Sequence, residues 1–392
     1  MNILHCITGL SGDGAQRMLL RLVRGLEKHG VRNMVVSLGD RGALAPEFEA
    51  SGVPVRALRM SGAASFVSGL LAFRSAVREF APDIIQGWMY HANLLSIFVR
   101  DARGSRLPVL WSVRRGLDDL GERKRATHAL VRGSAWLSSR ASRIIYCSQR
   151  SREQHEAAGF SGHAPVVLGN GFDTELFAPH PECRTSFRRE LGLGENDVLI
   201  GNVGRFDVAK GHRILIEAFC NVAARHPAAH LVCVGRGLDT QLVPRGVPLA
   251  VAKRIHLLSE RQRVHEVFPA FDLYCSSSIA EGFPNVIAEA LSTALPVVAT
   301  DTGATRELVG SRGVIVQPRS AAALEAGLEK MLGEPPDSRR ARGEAGRDFI
   351  LREHSLARVV RLYLELYEGE VTAFVAPKAA RAEGGDRLFF DG

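Results

Sequence analysis

Two spacings alternate along almost the whole chain. Short apolar runs of strand length are followed by longer stretches in which apolar side chains recur every three or four positions, the signature of one helical face. In the first half, Asn2–Thr8, Asn33–Leu38, Val53–Leu58, Asp83–Gln86, Val109–Val113, Arg143–Ser148 and Pro165–Leu168 predict strands. Between them, Ala15–His29 (with Met18, Leu19, Leu22, Val23 and Leu26 on one face), Ala43–Ser51 and Phe66–Phe80 predict helices. The polar stretch 179–196 reads as a linker, and then the alternation restarts. Asp197–Val203, His230–Gly235, Arg254–Leu258, Phe271–Cys275, Leu295–Thr300 and Gly313–Gln317 predict strands. Ile214–Ala224, Val264–Phe268, a segment opening at Pro284, Ala321–Leu332 and a final region from 338 to 367 predict helices. Repetition of this kind, with Leu295–Thr300 rich in valine and unbroken by charge, specifies parallel sheets covered on both faces, an α/β fold. At 392 residues the chain exceeds one ordinary core, so two domains are expected.

Composition narrows the class. Hydrophobic residues make up 46% and charged residues 23%, values that suit a globular protein, and no apolar run approaches the roughly 18 residues of a membrane helix. The start, Met1-Asn-Ile-Leu-His-Cys, has no basic lead-in, so no leader is expected. Six cysteines lie scattered without C-x-x-C spacing, which suits small core residues in a reducing compartment, so a cytoplasmic location is expected. The net charge of +8 is concentrated between Arg100 and Arg152, where 13 Lys/Arg face 4 Asp/Glu. Such a surface could meet an anionic membrane, an anionic lipid-linked substrate or only solvent, and Trp136 among its charges suits a membrane face. No nucleic-acid-binding motif accompanies it, so nucleic acid is not an expected partner.

Candidate chemistry sits where strands end. Gly9-Leu-Ser-Gly-Asp-Gly14 links a strand to a helix and suggests a phosphate cradle, although its order is not the dinucleotide fingerprint. His91 follows the strand at 83–86, at the carboxyl end where ligands of open α/β sheets gather. Arg205 and Lys210 lie on one loop, between Gly204 and Gly211, and two cations so placed suit a diphosphate. The richest stretch is Glu281-Gly-Phe-Pro-Asn-Val-Ile-Ala-Glu289. Gly282 permits a turn, Pro284 suits the first helical position, and the free amides of a helix start favour phosphate. Glu281 before that start and Glu289 within the helix could accept hydrogen bonds from hydroxyls on opposite sides of the phosphate, a sugar on one side and a ribose on the other. The alternative is that both acids are solvated helix-end residues.

The last segment, with Gly303-Ala-Thr-Arg-Glu307-Leu-Val309 after it, resembles the retaining glycosyltransferases of family 4, marked by E-x7-E and G-x-x-x-E-L-V. The resemblance extends to Gly204-Arg205-x4-Lys210-Gly211, to Asn170-Gly171-Phe-Asp173 with Phe177 and Pro179, and to Trp88-Met-Tyr-His91-Ala-Asn-Leu, which looks like the bacterial polysaccharide-building version. It implies two Rossmann-like domains facing across a cleft: 1–172 on the acceptor side, 173–352 binding the nucleotide sugar, a helix 353–372 returning to the first domain, and a mobile tail 373–392. Gly171 is the implied hinge. His91, Arg205, Lys210 and Glu281 are the implied catalytic residues. Gly14, Gly204, Arg261, Gly282, Phe283, Pro284, Asn285, Val286 and Glu289 are the implied donor contacts, with the segment at Arg261 holding the base edge. The family loop G-G-x-E is replaced here by Asp13-Gly14-Ala15-Gln16.

The resemblance implies sugar transfer from a nucleoside diphosphate donor to a hydroxyl with retained configuration, in surface polysaccharide or glycolipid synthesis. No cofactor is implied, the nucleotide sugar being a substrate. The chain has no Asp-x-Asp, so no metal is expected. The acceptor would be lipid-linked or a glycan, met at the inner face of the membrane through 100–152. Alternatives are a nucleotide-sugar epimerase of the same architecture and a non-catalytic binding subunit.

Overall fold

The computed structural model describes residues 1–383 except 100–103, 105, 106, 119, 123, 124, 163, 239–241 and 245. Part of the basic stretch, and the end of the expected tail at 384–392, therefore lie outside the described residues.

Thirteen strands form two sheets among the described residues. The first holds β1 (Asn2–Ile7), β2 (Arg32–Ser37), β3 (Val55–Ala57), β4 (Ile84–Trp88), β5 (Val109–Val113), β6 (Arg143–Tyr146) and β7 (Pro165–Val167), in the order β3-β2-β1-β4-β5-β6-β7. The second holds β8 (Val198–Val203), β9 (Ala229–Val234), β10 (Ile255–Leu258), β11 (Leu273–Ser276), β12 (Val297–Thr300) and β13 (Gly313–Val316), in the order β10-β9-β8-β11-β12-β13. Every pairing is parallel. The order reverses between β1 and β4 in one sheet and between β8 and β11 in the other. At such reversals the loops leaving neighbouring strands diverge and open a crevice. All the candidate residues but Arg261 lie on or next to loops leaving these four strands.

Both faces of each sheet are covered, which is why the strands read as mostly apolar runs. Met18, Leu19, Leu22, Val23 and Leu26 of the helix Gly14–Glu27 pack on one face of the first sheet, as their spacing predicts. Phe73, Tyr90 and Val131 cover the other. In the second domain, Phe219 and Leu328 lie on one side, with Phe268 and Ile287 on the other. Full burial of side chains this size contributes about 1.5–3 kcal/mol each.

The chain passes between domains twice, and the passages run side by side. Phe172 and Ser355 form a parallel bridge, with the Phe172 amide donating to the His354 carbonyl (2.9 Å) and the Leu356 amide to the Phe172 carbonyl (2.8 Å). This pairing diverts the backbone, so the expected final helix is split. A helix Pro336–Phe349 ends in a π turn, Ile350–His354, and a second helix spans Leu356–Glu383. That helix returns to the first domain, where Val359, Val360, Tyr363 and Tyr367 join the core beside Leu19 and Leu22. Arg143 and Glu370 pair at its side. The helix continues past 372, so the expected tail is helical as far as Glu383. Gly25 leaves room for Val360, and a Cβ there would overlap the Val360 methyl. Gly25→Val is expected to lower the melting temperature by several degrees, despite the gain in helix propensity, by prising this helix away.

Three local expectations change. The presumed linker contains a docked helix, Pro181–Glu190, two of whose arginines hold it to the domain: Arg184 and Arg188 both grip the partly buried Asp272 (2.6 and 2.9 Å). Val264–Phe268 forms a short 3-10 turn at Val264–Glu266, and Pro269, which has no N–H to donate, sits in a second one. Pro284 caps the helix Asn285–Ser292 instead of opening it.

Candidate active site

The second domain supplies most of the site. Lys210 closes the loop after β8, and its Nζ lies 2.6 Å from Glu281 Oε1. Ser278 Oγ donates to the same oxygen (2.7 Å). The two loops are locked together by hydrogen bonds from Ile279 N to the Ala209 carbonyl (2.7 Å) and from Ser277 Oγ to the Lys210 carbonyl (2.8 Å). Gly211 serves this junction twice. Its backbone is left-handed (φ 64°), and a Cβ would collide with the Ser277 carbonyl oxygen. Glu281 Oε1 therefore has two donors, while no hydrogen bond among the described residues reaches Oε2.

Gly282 lies in a sandwich of backbone. A Cβ on it would fall 2.6 Å from the Arg114 carbonyl oxygen and 2.7 Å from Arg115 Cα in the first domain. On its other side, Ala304 N donates to the Gly282 carbonyl (3.1 Å). The domains thus touch at main-chain distance beside the helix start at Asn285. Asn285 Oδ1 accepts from Asn170 Nδ2 (2.7 Å), and a Cβ on Gly14 would lie 2.9 Å from Asn285 Nδ2. Gly14 and Asn285 are therefore brought together from opposite domains. Glu289, 7% exposed, pairs with Arg21 of the first domain at 3.1 Å.

The altered loop has a structural explanation. The Gln16 side-chain carbonyl turns back to accept from the amides of Gly12 (2.6 Å) and Asp13 (2.8 Å), so it stabilises the loop it belongs to. His91 stands solvent-exposed on the helix Met89–Ser96, lifted from the strand by a left-handed turn at Met89 (φ 69°). Although its ring reaches water, the protein around it desolvates the charged form and lowers its pKa, which favours the neutral ring.

Several implied donor contacts have side-chain partners within the protein. Arg205 is exposed and pairs with Asp207 (3.2 Å), so it is not drawn into the Lys210–Glu281 pair. The Arg261 side chain pairs with Glu190 on the docked helix. Phe283 turns from the cleft to stack on Phe172 (centroids 6.1 Å, 22°), and Pro284 is buried, leaving their backbone as the part that can meet a ligand. Val286 is half-buried against the core.

A polar seam beside the site is not visible in the sequence. Arg150 donates to Asp118 in its own domain (2.6 Å) and to Asp301 in the other (3.2 Å). The Glu307 carboxylate accepts from the amides of Gln149 (3.2 Å) and Arg150 (3.3 Å), the free start of a first-domain helix. Burial raises the Glu307 pKa.

A cation–carboxylate pair and a free helix start, facing a glycine loop across main-chain contact, suit an anion carrying hydroxyls. Residues 12–176 match the family described as Glycosyltransferase Family 4, and 197–334 that described as Glycosyl transferases group 1. The chain is 27% identical over 307 residues to a D-inositol 3-phosphate glycosyltransferase of Corynebacterium aurimucosum, covering 73% of this chain and 71% of that one. It is 30% identical over 222 residues to a GDP-mannose-dependent alpha-(1-6)-phosphatidylinositol monomannoside mannosyltransferase of Mycolicibacterium smegmatis, covering 53% and 57%. The fold is that of Anabaena Alr3699/HepE, solved with UDP and glucose, at a TM-score of 0.80 and 22% identity over 94% of this chain and all of that one. The families and relatives named are glycosyltransferases, which leaves the epimerase reading without support. With both matched segments set on paired parallel sheets, the chain belongs to glycosyltransferase family 4.

Proposed function

We propose that the protein moves a sugar from a nucleoside diphosphate donor to a hydroxyl acceptor with retained anomeric configuration and without a metal ion. The observation that carries this reading is the Lys210–Glu281 pair beside the free start of the Asn285 helix, at the reversal between β8 and β11. The bond from the anomeric carbon to the phosphate oxygen breaks as the acceptor oxygen bonds to that carbon from the same face. The departing diphosphate takes the acceptor proton. Lys210, the amides at Asn285 and Val286, and Arg205 once turned from Asp207 stabilise the departing charge. Glu281 Oε2 receives sugar hydroxyls, Glu289 the ribose, and neutral His91 completes the sugar side from the first domain.

UDP- and GDP-sugars are the donors to screen, since UDP is held by the structural relative and GDP-mannose named for a curated one. A matching donor is expected to raise the melting temperature by several degrees. Turnover is expected to continue in excess chelator with retained configuration by NMR. Inversion, a strict metal requirement or binding of neither nucleotide overturns the reading. Donor turnover lost in Glu281→Ala separates an enzyme from a silent binding subunit.

The acceptor side of the proposal is a lipid-linked or glycan hydroxyl presented at an anionic membrane surface. The helix Arg125–Leu137 leaves Trp136 78% exposed among arginines. The helix Ala63–Phe80, which shares its core cluster, exposes Phe66, Val67 and Leu71. No described helix is long and apolar enough to cross a membrane, so contact would be interfacial. Co-sedimentation with anionic liposomes, weakened by Trp136→Ala, is the expected result, and no preference for anionic lipid counts against it.

A further inference from the structure

We propose that Arg21, contributed by the first domain, is a positioning residue for the nucleoside half of the donor. It holds the Glu289 carboxylate in one orientation, and it does so only while the domains are in contact. The inference rests on the reading of Glu289 as the ribose acceptor, and deepens it.

Arg21 lies on the helix Gly14–Glu27, on the side away from that helix's apolar stripe, and Glu289 lies 268 positions later in the other domain. Arg21 Nη2 donates to Glu289 Oε1 at 3.1 Å. The guanidinium is seated by its surroundings as well. Its Cζ stands 5.4 Å from the Phe172 ring centroid, and Nη1 lies 3.5 Å from the Gly171 carbonyl. Phe172 in turn stacks on Phe283, in the turn that leads to the Glu289 helix. The arginine is thus clamped to the interdomain passage, and its position depends on how the domains sit.

A carboxylate with a side chain only 10% exposed needs a donor to offset its lost hydration. Arg21 supplies that donor at Oε1, and no hydrogen bond among the described residues reaches Oε2. A carboxylate pinned by one oxygen presents the other in a fixed direction, which is what recognition of paired ribose hydroxyls requires. When the first domain swings away, Arg21 goes with it, and Glu289 is free to rotate and hydrate. The grip on ribose therefore strengthens as the domains close, and by linkage a bound ribose favours closure. Lys210 plays the matching part for Glu281, but from within the same domain, so that carboxylate stays oriented in either state.

The test is discrimination between sugars of the nucleotide. UDP and GDP, each beside its 2′,3′-dideoxy analogue, are titrated into wild type, Glu289→Ala, Arg21→Met and Arg21→Lys by calorimetry, with unfolding curves to confirm folding. Wild type is expected to prefer the ribonucleotide about tenfold or more, the worth of hydrogen bonds to a charged acceptor. Glu289→Ala and Arg21→Met are expected to bring that ratio close to one, and Arg21→Lys, which keeps the charge without the fork, to leave it intermediate. A merely structural arginine would shift melting temperature and leave the ratio alone. Loss of preference in Glu289→Ala with full preference in Arg21→Met overturns the role of Arg21 and leaves the ribose reading standing. A wild-type protein that shows no preference, or Glu289→Ala that keeps it, overturns the ribose reading and this inference with it. Should Arg21→Met fail to fold, a wild-type ratio in Arg21→Lys is the overturning result.

Discussion

Lys210→Ala is expected to lower kcat by about two to three orders of magnitude. Sugar transfer leaves a diphosphate whose charge grows as the bond to the anomeric carbon breaks. A preorganised donor aimed at such charge contributes about 3–4 kcal/mol to the barrier, and each decade in rate corresponds to about 1.4 kcal/mol. Lys210 meets the requirement of preorganisation because Glu281 holds its ammonium at 2.6 Å and Gly211 fixes the loop behind it. The pairing also makes the two single variants unlike each other. Removing Lys210 leaves Glu281 with Ser278 alone, so the diphosphate contact and the sugar-orienting carboxylate are impaired together. Removing Glu281 frees Lys210, so Glu281→Ala should bind the bare nucleoside diphosphate at least as tightly as wild type while losing turnover. Initial rates beside calorimetry of the diphosphate read both effects. Lys210→Ala with wild-type kcat would take the diphosphate out of this loop.

Gly282→Ala is expected to cost about a hundredfold in kcat while leaving the melting temperature near that of wild type. The added Cβ would meet the Arg114 carbonyl oxygen at 2.6 Å and Arg115 Cα at 2.7 Å, atoms of the other domain's main chain that cannot rotate aside. Gly282 itself is not in the left-handed region, so its own domain accepts alanine without backbone strain. The clash is relieved by parting the domains, and a displacement of about an ångström at reacting atoms is enough for a loss of this size. Solution scattering should show a larger radius of gyration than wild type. Unchanged activity would mean that main-chain contact at this point is not part of the working state.

How much of this is legible in the sequence depends on the range of the interactions. Strands such as Val109–Val113 and helices such as Ala321–Leu332 appear at the expected positions, because burial on both faces or on one stripe writes itself directly into hydrophobic spacing. Glu281, Lys210 and Gly14 can be picked out because local turn chemistry marks them, and the fold brings the first two into contact. The role of Arg21 cannot be read, since an arginine opposite a helix's apolar stripe looks like any solvated one until a partner from the other domain arrives. The seam of Asp118, Arg150, Asp301 and Glu307 is hidden for the same reason. The Pro181–Glu190 helix reads as a linker because Arg184 and Arg188, which dock it on Asp272, look in composition like the hydrated residues beside them. Phe283 shows the converse case: a side chain inside a ligand-like motif stacks on Phe172, a use the sequence does not mark, and its main chain is left to face a substrate.

The return of the last helix to the first domain bears on how the protein is made. Tyr363 and Tyr367 fill the layer that Leu19 and Leu22 begin, and the buried Arg114 finds a hydrogen-bond partner in Tyr363. A nascent chain that has emerged only as far as β7 has every strand of its first sheet but lacks this layer. That half consequently waits, with part of its apolar surface uncovered, until translation has carried the ribosome through the entire second half.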